Sequence, residues 1–317
     1  YAAGSSKSMQ DVMDSISAAI GAGVNYKESL SVVGTAEKLS ISTRSDLKST
    51  TETLVSTLNA YGMSTTKAGQ VSDVLFQTIK DGKLTMSDLS QSLSMVTPIA
   101  ATAGVPLEQI GAAIATLTAS GMQPGQSIEY LRSMLSNIIK PSDSAATAAK
   151  EMGLAFDAQT LKTKGLTGML DSMRTATGGS VDKMSRLIGD VGGLSAAMVL
   201  TGAGTESFKT SMDNMAGSAG STSEAYGKMA DSMEVSTGKI KAAFTGMAVE
   251  VGEPLLDAFG GVSQSITEIF NALAESFKDG ALSKVMDYIT GLASQIETTF
   301  SDRKSTRLNS SHSDRSR

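Results

Sequence analysis

The stretch from Lys83 to Leu135 constrains this chain most, because apolar residues recur there every three or four positions and each run is closed by glycine or proline. Alternation with period two is absent, so the segment folds as short amphipathic helices, one face buried, joined by tight turns. Thr85-Met-Ser-Asp88 has the spacing of a capping box, which starts a helix carrying Leu89, Leu93, Val96 and Ala100 as far as Gly104. Pro106 lies where proline is tolerated, in the first turn of the next helix, whose face is Leu107, Ile110, Ile114 and Leu117. Gly121 ends that helix. Pro124 opens a third, with Ile128, Leu131, Leu135 and Ile138 as its stripe until Pro141. Three helices joined this closely must pack on one another.

The same rhythm extends upstream. Val12, Ile16, Ala19 and Ile20 form one stripe, ended by Gly21 and Gly23, and Leu30, Val33 and Leu39 form a second. Thr43-Arg-Ser-Asp46 repeats the capping spacing ahead of Leu47, Leu54 and Leu58, and Ser64 or Thr65 precedes Val71, Val74, Leu75 and Ile79, closed by Gly82. The fold class is all-α: an irregular bundle or short solenoid of amphipathic helices over residues 1–215, followed over 216–301 by two or three long helices. After Pro141 the pattern loosens. Ala145, Ala148 and Ala149 support a helix, Gly153 to Asp157 and the Thr/Lys/Gly cluster after it read as a loop with room for a short extended pair, and Leu166, Met169, Leu170 and Met173 resume the stripe. Gly178-Gly179, Gly189 and Gly192-Gly193 are turn residues around two further short helices, the second from Leu194 to Leu200. Ser221-Thr-Ser-Glu224 is the best capping box in the chain. Beyond it, Met229, Met233, Ile240, Phe244, Met247 and Val251, then Leu255 to Phe277 and Leu282 to Phe300, continue at helical spacing, with a break at Gly252-Glu253-Pro254.

With aromatics at 4% and no tryptophan, the core must be built from Ala, Leu, Ile, Val and Met. The 18 methionines are better explained as filling gaps between helices than as an adaptable partner groove. Cysteine is absent, which excludes thiol chemistry and Cys-ligated metal. The chain begins at Tyr1, as expected of a fragment or processed product. Residues 302–317, Asp-Arg-Lys-Ser-Thr-Arg-Leu-Asn-Ser-Ser-His and onward, read as translated sequencing-adapter DNA rather than native protein. They hold the sole histidine, His312, and five Lys/Arg against two Asp/Glu; without them 22 basic face 30 acidic residues, a net charge of −8. That balance disfavours nucleic-acid binding.

No phosphate-binding loop or nucleophile elbow occurs. Lys67, Lys80 and Lys83 have serines nearby, but such neighbours arise freely in a chain this rich in serine. Glu250/Glu253 and Asp11/Asp14 at helical spacing read as solvated carboxylate pairs. Catalytic, cofactor-binding and metal sites are therefore all assigned as none. The uncharged stretches Leu89–Leu107 and Val191–Thr205 are short for membrane spans and better explained as buried faces.

Thr97-Pro-Ile-Ala100, then Gly104-Val-Pro-Leu-Glu-Gln-Ile-Gly-Ala-Ala-Ile-Ala-Thr-Leu-Thr-Ala-Ser-Gly121, Leu131-Arg132 and Lys140-Pro141 closely resemble the core region of phage tail tape measure proteins. The resemblance continues back through Leu58-Asn-Ala-Tyr-Gly62 and Leu75-Phe76, and forward to about Phe277. It departs after Gly192-Gly193, where Leu194-Ser-Ala196 stands in place of an expected basic residue. The resemblance implies a non-enzymatic virion protein, without cofactors, that lies inside the tail tube, is present in the host cytoplasm during assembly, templates tube polymerisation and sets tail length. It implies as partners the major tail tube protein, tail assembly chaperones, tail tip proteins and copies of itself, with transient membrane contact on ejection. The rival reading is a membrane-active helical protein, a pore former or effector. An enzyme is the third, since a complete tape measure protein can carry a cell-wall hydrolase outside the region seen here.

Overall fold

The structure, a computed structural model, describes residues 7–230. Among them are fourteen α-helices: α1 Met9–Gly21, α2 Tyr26–Ser42, α3 Leu47–Ala60, α4 Ala68–Asp81, α5 Met86–Ser92, α6 Thr97–Thr102, α7 Leu107–Ala119, α8 Pro124–Ile139, α9 Asp143–Glu151, α10 Ala158–Thr177, α11 Val181–Leu187, α12 Val191–Thr201, α13 Thr205–Ala216 and α14 Ser221–Ala230. No strand occurs among the described residues, so the extended pair expected after Gly153 does not form. Of the region 216–301, where two or three long helices are expected, only the residues up to 230, with α14, are described, and the rest lies outside the described residues.

One connection recurs. At the ends of α1, α3, α6, α7 and α9 a glycine with positive φ follows the helix (Gly23, Gly62, Gly104, Gly121, Gly153), and at the end of α2 Arg44 takes that conformation. At each glycine, the next N–H reaches back to close the last turn: Val24 to Ala19, Met63 to Leu58, Val105 to Ala100, Met122 to Leu117 and Leu154 to Ala149. This is a Schellman end, in which the left-handed residue lets two orphan carbonyls be satisfied and turns an apolar side chain back onto the helix. Val24, Val105 and Leu154 are buried as a result. Most of these turns lead within a residue or two into the next helix, so the chain folds as consecutive hairpins.

The hairpins stack. Helices α2, α4 and α7 pack side by side as one layer, and α3, α5 and α8 as another, with α1 laid against α2 and α3. The later helices run back along the first layer: α13 packs on α7 and α4, and α14 on α4 and α2, while α12 makes the most extensive helix contact of the fold, with α8. The solenoid-like pattern expected from the sequence therefore covers α1 to α8, and α10, α12, α13 and α14 fold back over it, with α9 and α11 packed on each other.

The predicted faces of α7 and α8 are in the core: Ile110, Ile114, Leu117, Ile128, Leu131, Leu135 and Ile138 are all 0% exposed. Ala145, Ala148 and Ala149 are buried in α9, and Leu166, Met169, Leu170 and Met173 in α10. Met86, Met134, Met169, Met173, Met184 and Met215 fill the interior, as gap-filling requires.

Several expectations need correction. The helix predicted from Thr85 to Gly104 is broken: α5 ends at Ser92, a 3-10 turn spans Leu93–Met95, and α6 restarts at Thr97. The cause is Pro98, which has no N–H to give to the Ser94 carbonyl and cannot sit inside a continuous helix. Ahead of α3 the cap is Asp46, which accepts from Ser49 N–H at 2.8 Å; Thr43 ends α2 instead. Residues 158–164 are helical rather than loop, because Asp157 caps them through Thr160 N–H at 2.7 Å and Leu161 is 0% exposed. Gly192 and Gly193 lie inside α12, and Ile20 and Leu30 are solvent-exposed rather than inward. Helix α13 has no counterpart among the sequence-based expectations, although Phe208 and Met215, seven residues apart, are its buried anchors.

Ser221-Thr-Ser-Glu224 corrects the sequence reading most sharply. Ser221 is already helical, its hydroxyl is buried without a partner, and Glu224 turns outward to Lys228 at 2.6 Å. Ser221→Ala is therefore expected to change stability by less than about 0.5 kcal/mol in urea unfolding, where a working N-cap would lose about 1 kcal/mol.

Candidate functional site

Helix α7 is the centre from which the remaining contacts are built. Its sequence, Leu-Glu-Gln-Ile-Gly-Ala-Ala-Ile-Ala-Thr-Leu-Thr-Ala, puts small side chains between the large ones, and residues 110 to 118 are all buried. Small residues let neighbouring backbones approach. A Cβ on Gly111 would lie 2.5 Å from Thr78 Oγ1 of α4 and 3.0 Å from the Met215 methyl of α13. The buried hydroxyls here satisfy themselves: Thr116 donates to Ala112 O at 2.8 Å and Thr118 to Ile114 O at 2.9 Å. Each can then be buried as though it were apolar, at no cost in unmade hydrogen bonds.

Three polar side chains reach across the fold to cap a helix in another part of the chain or to brace its cap. Gln109 of α7 accepts the Leu166 N–H at 2.6 Å through Oε1, at the point where α10 is interrupted by Gly165 with φ 68° and ψ 179°. The second half of α10 thus starts under a borrowed cap, and a Cβ on Gly165 would meet the Gln109 amide at 2.9 Å. Asp73 of α4, 8% exposed, accepts Gly220 N–H at 2.7 Å on one oxygen and Thr222 N–H at 2.9 Å on the other, which caps α14. Asn137 of α8 donates at 2.7 Å to Asp190, the residue that caps α12 by accepting Gly193 N–H at 2.6 Å.

The Asp190 contact explains the close packing of α12 on α8. A Cβ on Gly192 would lie 2.6 Å from the Tyr130 ring, and one on Gly193 would lie 3.0 Å from the Met134 backbone nitrogen. Just beyond them Ala196 and Ala197 are buried as well. Burial acts most strongly on the Asp190 carboxyl and pushes it up, but hydrogen bonds from Gly193 N–H, Ser133 and Asn137 outweigh it and hold the group below its ordinary range. A carboxylate depressed on folding adds stability above its unfolded value, about 3.9, and that stability is lost as pH falls through the folded value. Melting temperature is therefore expected to fall with acidification below about pH 4, and Asp190→Asn, which keeps a capping oxygen, is expected to flatten that fall.

The side chains weighed for chemistry do not converge. Asp11 is spent capping α1 through Ser8, Asp14 accepts from Gln10, and both are exposed. Lys67, Lys80 and Lys83 are exposed on separate turns. A lysine–serine contact does form at Lys164 and Ser172, 3.1 Å apart, on an exposed surface. Glu250, Glu253 and His312 lie outside the described residues. Among the described residues no three His, Cys, Asp or Glu are grouped to hold a metal, and no helix is long and apolar enough to cross a membrane. The uncharged stretch Leu89–Leu107 is divided among α5, α6 and the start of α7, and the helix in Val191–Thr205 ends at Thr201. An open hollow between α9 and α11, lined by Ser142, Asp143, Thr147, Ser185 and Arg186, carries hydroxyls beside an Arg186–Glu151 pair.

What these observations define is an all-α protein of stacked hairpins in which Gln109, Asp73 and Asn137 cap distant helices or brace their caps. Residues 2–193 match the phage-related minor tail protein family, and the chain belongs to that family. It is 26% identical over 231 residues to the tape measure protein of Pneumococcus phage Dp-1, covering 72% of this chain and 20% of that protein. Probable tape measure proteins of Clostridium phage phiCD119 (25% over 276 residues, 85% of this chain and 28% of the relative) and Escherichia phage P2 (24% over 237 residues, 73% and 29%) are also similar. The chain thus spans less than a third of the length of each of these relatives. No solved structure matches it.

Proposed function

We propose that this chain is part of a tape measure protein, on which tail tube subunits polymerise and whose length in residues sets the length of the tail. The observation that supports the reading is the joint one: a family match from residue 2 to residue 193, and similarity over at least 72% of this chain to tape measure proteins of three phages. Its partners in this reading are the tail tube protein, the tail assembly chaperones, the proteins of the tail tip and further copies of itself. Its place is inside the tube, after assembly in the host cytoplasm, and its role there is structural rather than catalytic.

A ruler needs extended chain, since a helix advances about 1.5 Å per residue only along its own axis. Helices α1 to α14 double back on one another, so this body in its packed form is a poor ruler. We assign it to organising one part of the assembly, and assign measurement to the remainder of the longer protein, including the amphipathic sequence over 231–301.

Electron microscopy of tails from phage carrying in-frame deletions tests this. Removing about 40 residues from 231–301 is expected to shorten the tail by about 60 Å. Disrupting the packed body is expected to abolish tails rather than shorten them. Tails of unchanged length after the deletion would sink the measuring role, and normal tails from a disrupted body would sink the organising one.

A further inference from the structure

The contact between α14 and the body differs in kind from the other helix contacts. Of residues 221–229 only Thr222 is fully buried, at 3% exposure, while Ala225, Tyr226 and Met229 are half-covered. Neighbouring α13, by contrast, buries Phe208 and Met215 against the fold. What holds α14 is polar. The Asp73 carboxylate takes the N–H groups of Gly220 and Thr222, and Ser72 Oγ donates to Thr222 Oγ1 at 3.2 Å; Ser42 Oγ lies 3.2 Å from Thr222 O but nearer, at 2.7 Å, to the Lys38 carbonyl of its own helix. Gly217 to Gly220 join α13 to α14 without helix, and Gly220 has φ 81°.

We propose that α14 is a strap latched by Asp73, which detaches from α2 and α4 as a unit while the body from α1 to α13 stays folded. Hydrogen bonds of this sort are short-ranged: a displacement of an ångström or two breaks them, and water then satisfies both sides. Ser42, Ser72, Asp73 and the freed N–H groups of α14 are all groups that water can serve. No apolar side chain of 221–229 is fully buried, so opening the strap costs less than parting α7 from α4 and α13.

Hydrogen exchange of the full 317-residue chain, followed by mass spectrometry, reads this directly. Amides of 218–229 are expected to exchange at least about tenfold faster than those of α7, by an opening that leaves α7 protected. Asp73→Ala is expected to speed exchange of 218–229 by about a further fivefold, the equivalent of a lost helix cap, and to leave α7 unchanged. Exchange of 218–229 only together with α7, or equal acceleration of both by Asp73→Ala, would overturn the proposal. The absence of cysteine permits a second measurement: a Ser72→Cys and Thr222→Cys pair, joined as a disulfide, should suppress the separate exchange of 218–229. Equal exchange of 218–229 in the oxidised and reduced forms of that pair would overturn it as well.

Discussion

Replacing Ile114 with Asp is expected to unfold the body. Ile114 is 0% exposed at the middle of α7, the helix against which α4, α8, α12 and α13 all pack. Removing the isoleucine side chain from such a position costs about 2–5 kcal/mol in lost burial and cavity. A carboxylate put in its place has no partner there, and desolvating it adds several kcal/mol. Together these rival the whole stability of an ordinary domain, about 5–15 kcal/mol. Circular dichroism should show most of the helical signal lost at 25 °C, with no cooperative melting transition; a helical signal and transition like those of the parent would mean that α7 is not central.

Gly111→Ala is expected to be the second largest effect, and its sign is the informative part. In an exposed helix interior the change from glycine to alanine stabilises by about 1 kcal/mol. At Gly111 the new methyl would meet Thr78 Oγ1 at 2.5 Å, and that hydroxyl is already committed to Val74 O at 2.8 Å. Helix α7 must then move off α4 and α13, an overpacking cost of about 1–3 kcal/mol that exceeds the gain in propensity. At Gly69, in the first turn of α4, an added methyl group would find nothing within 4 Å, so Gly69→Ala should shift the urea midpoint upward. Opposite shifts from the same substitution separate helix propensity from close approach; upward shifts at both would remove α7 from between α4 and α13.

The helices legible in the sequence are those with a complete local signature. In α7 and α8 the apolar spacing, the proline ahead and the glycine or proline beyond all agree, and the structure buries the residues named. Sequence logic weakens where one local signal outweighs another. Pro98 breaks a run whose apolar period continues through it, because a missing N–H matters more than hydrophobic spacing. Gly192 and Gly193 look like punctuation, yet they sit in α12, because Tyr130 and the Met134 backbone leave no room for a side chain. The capping box at Ser221 is locally complete and unused: the Ser221 and Glu224 N–H groups go to the Ser218 and Gly220 carbonyls, and Asp73, 147 residues before Gly220 in sequence, caps the helix through the Gly220 and Thr222 N–H groups.

The sequence alone determined that residues 7–230 would be largely a set of short amphipathic helices with tight glycine turns, because each of those outcomes is settled by residues within one or two helical turns of each other. The tertiary structure decided which of the candidate caps are used, which glycines are contacts rather than turns, and that the later helices return across α7, α4 and α2. Those outcomes depend on groups brought together from distant parts of the chain: Gln109 with Leu166, Asp73 with Gly220 and Thr222, and Asn137 with Asp190. No local pattern encodes such a pair, because the partner that lowers the energy is absent until the hairpins have stacked.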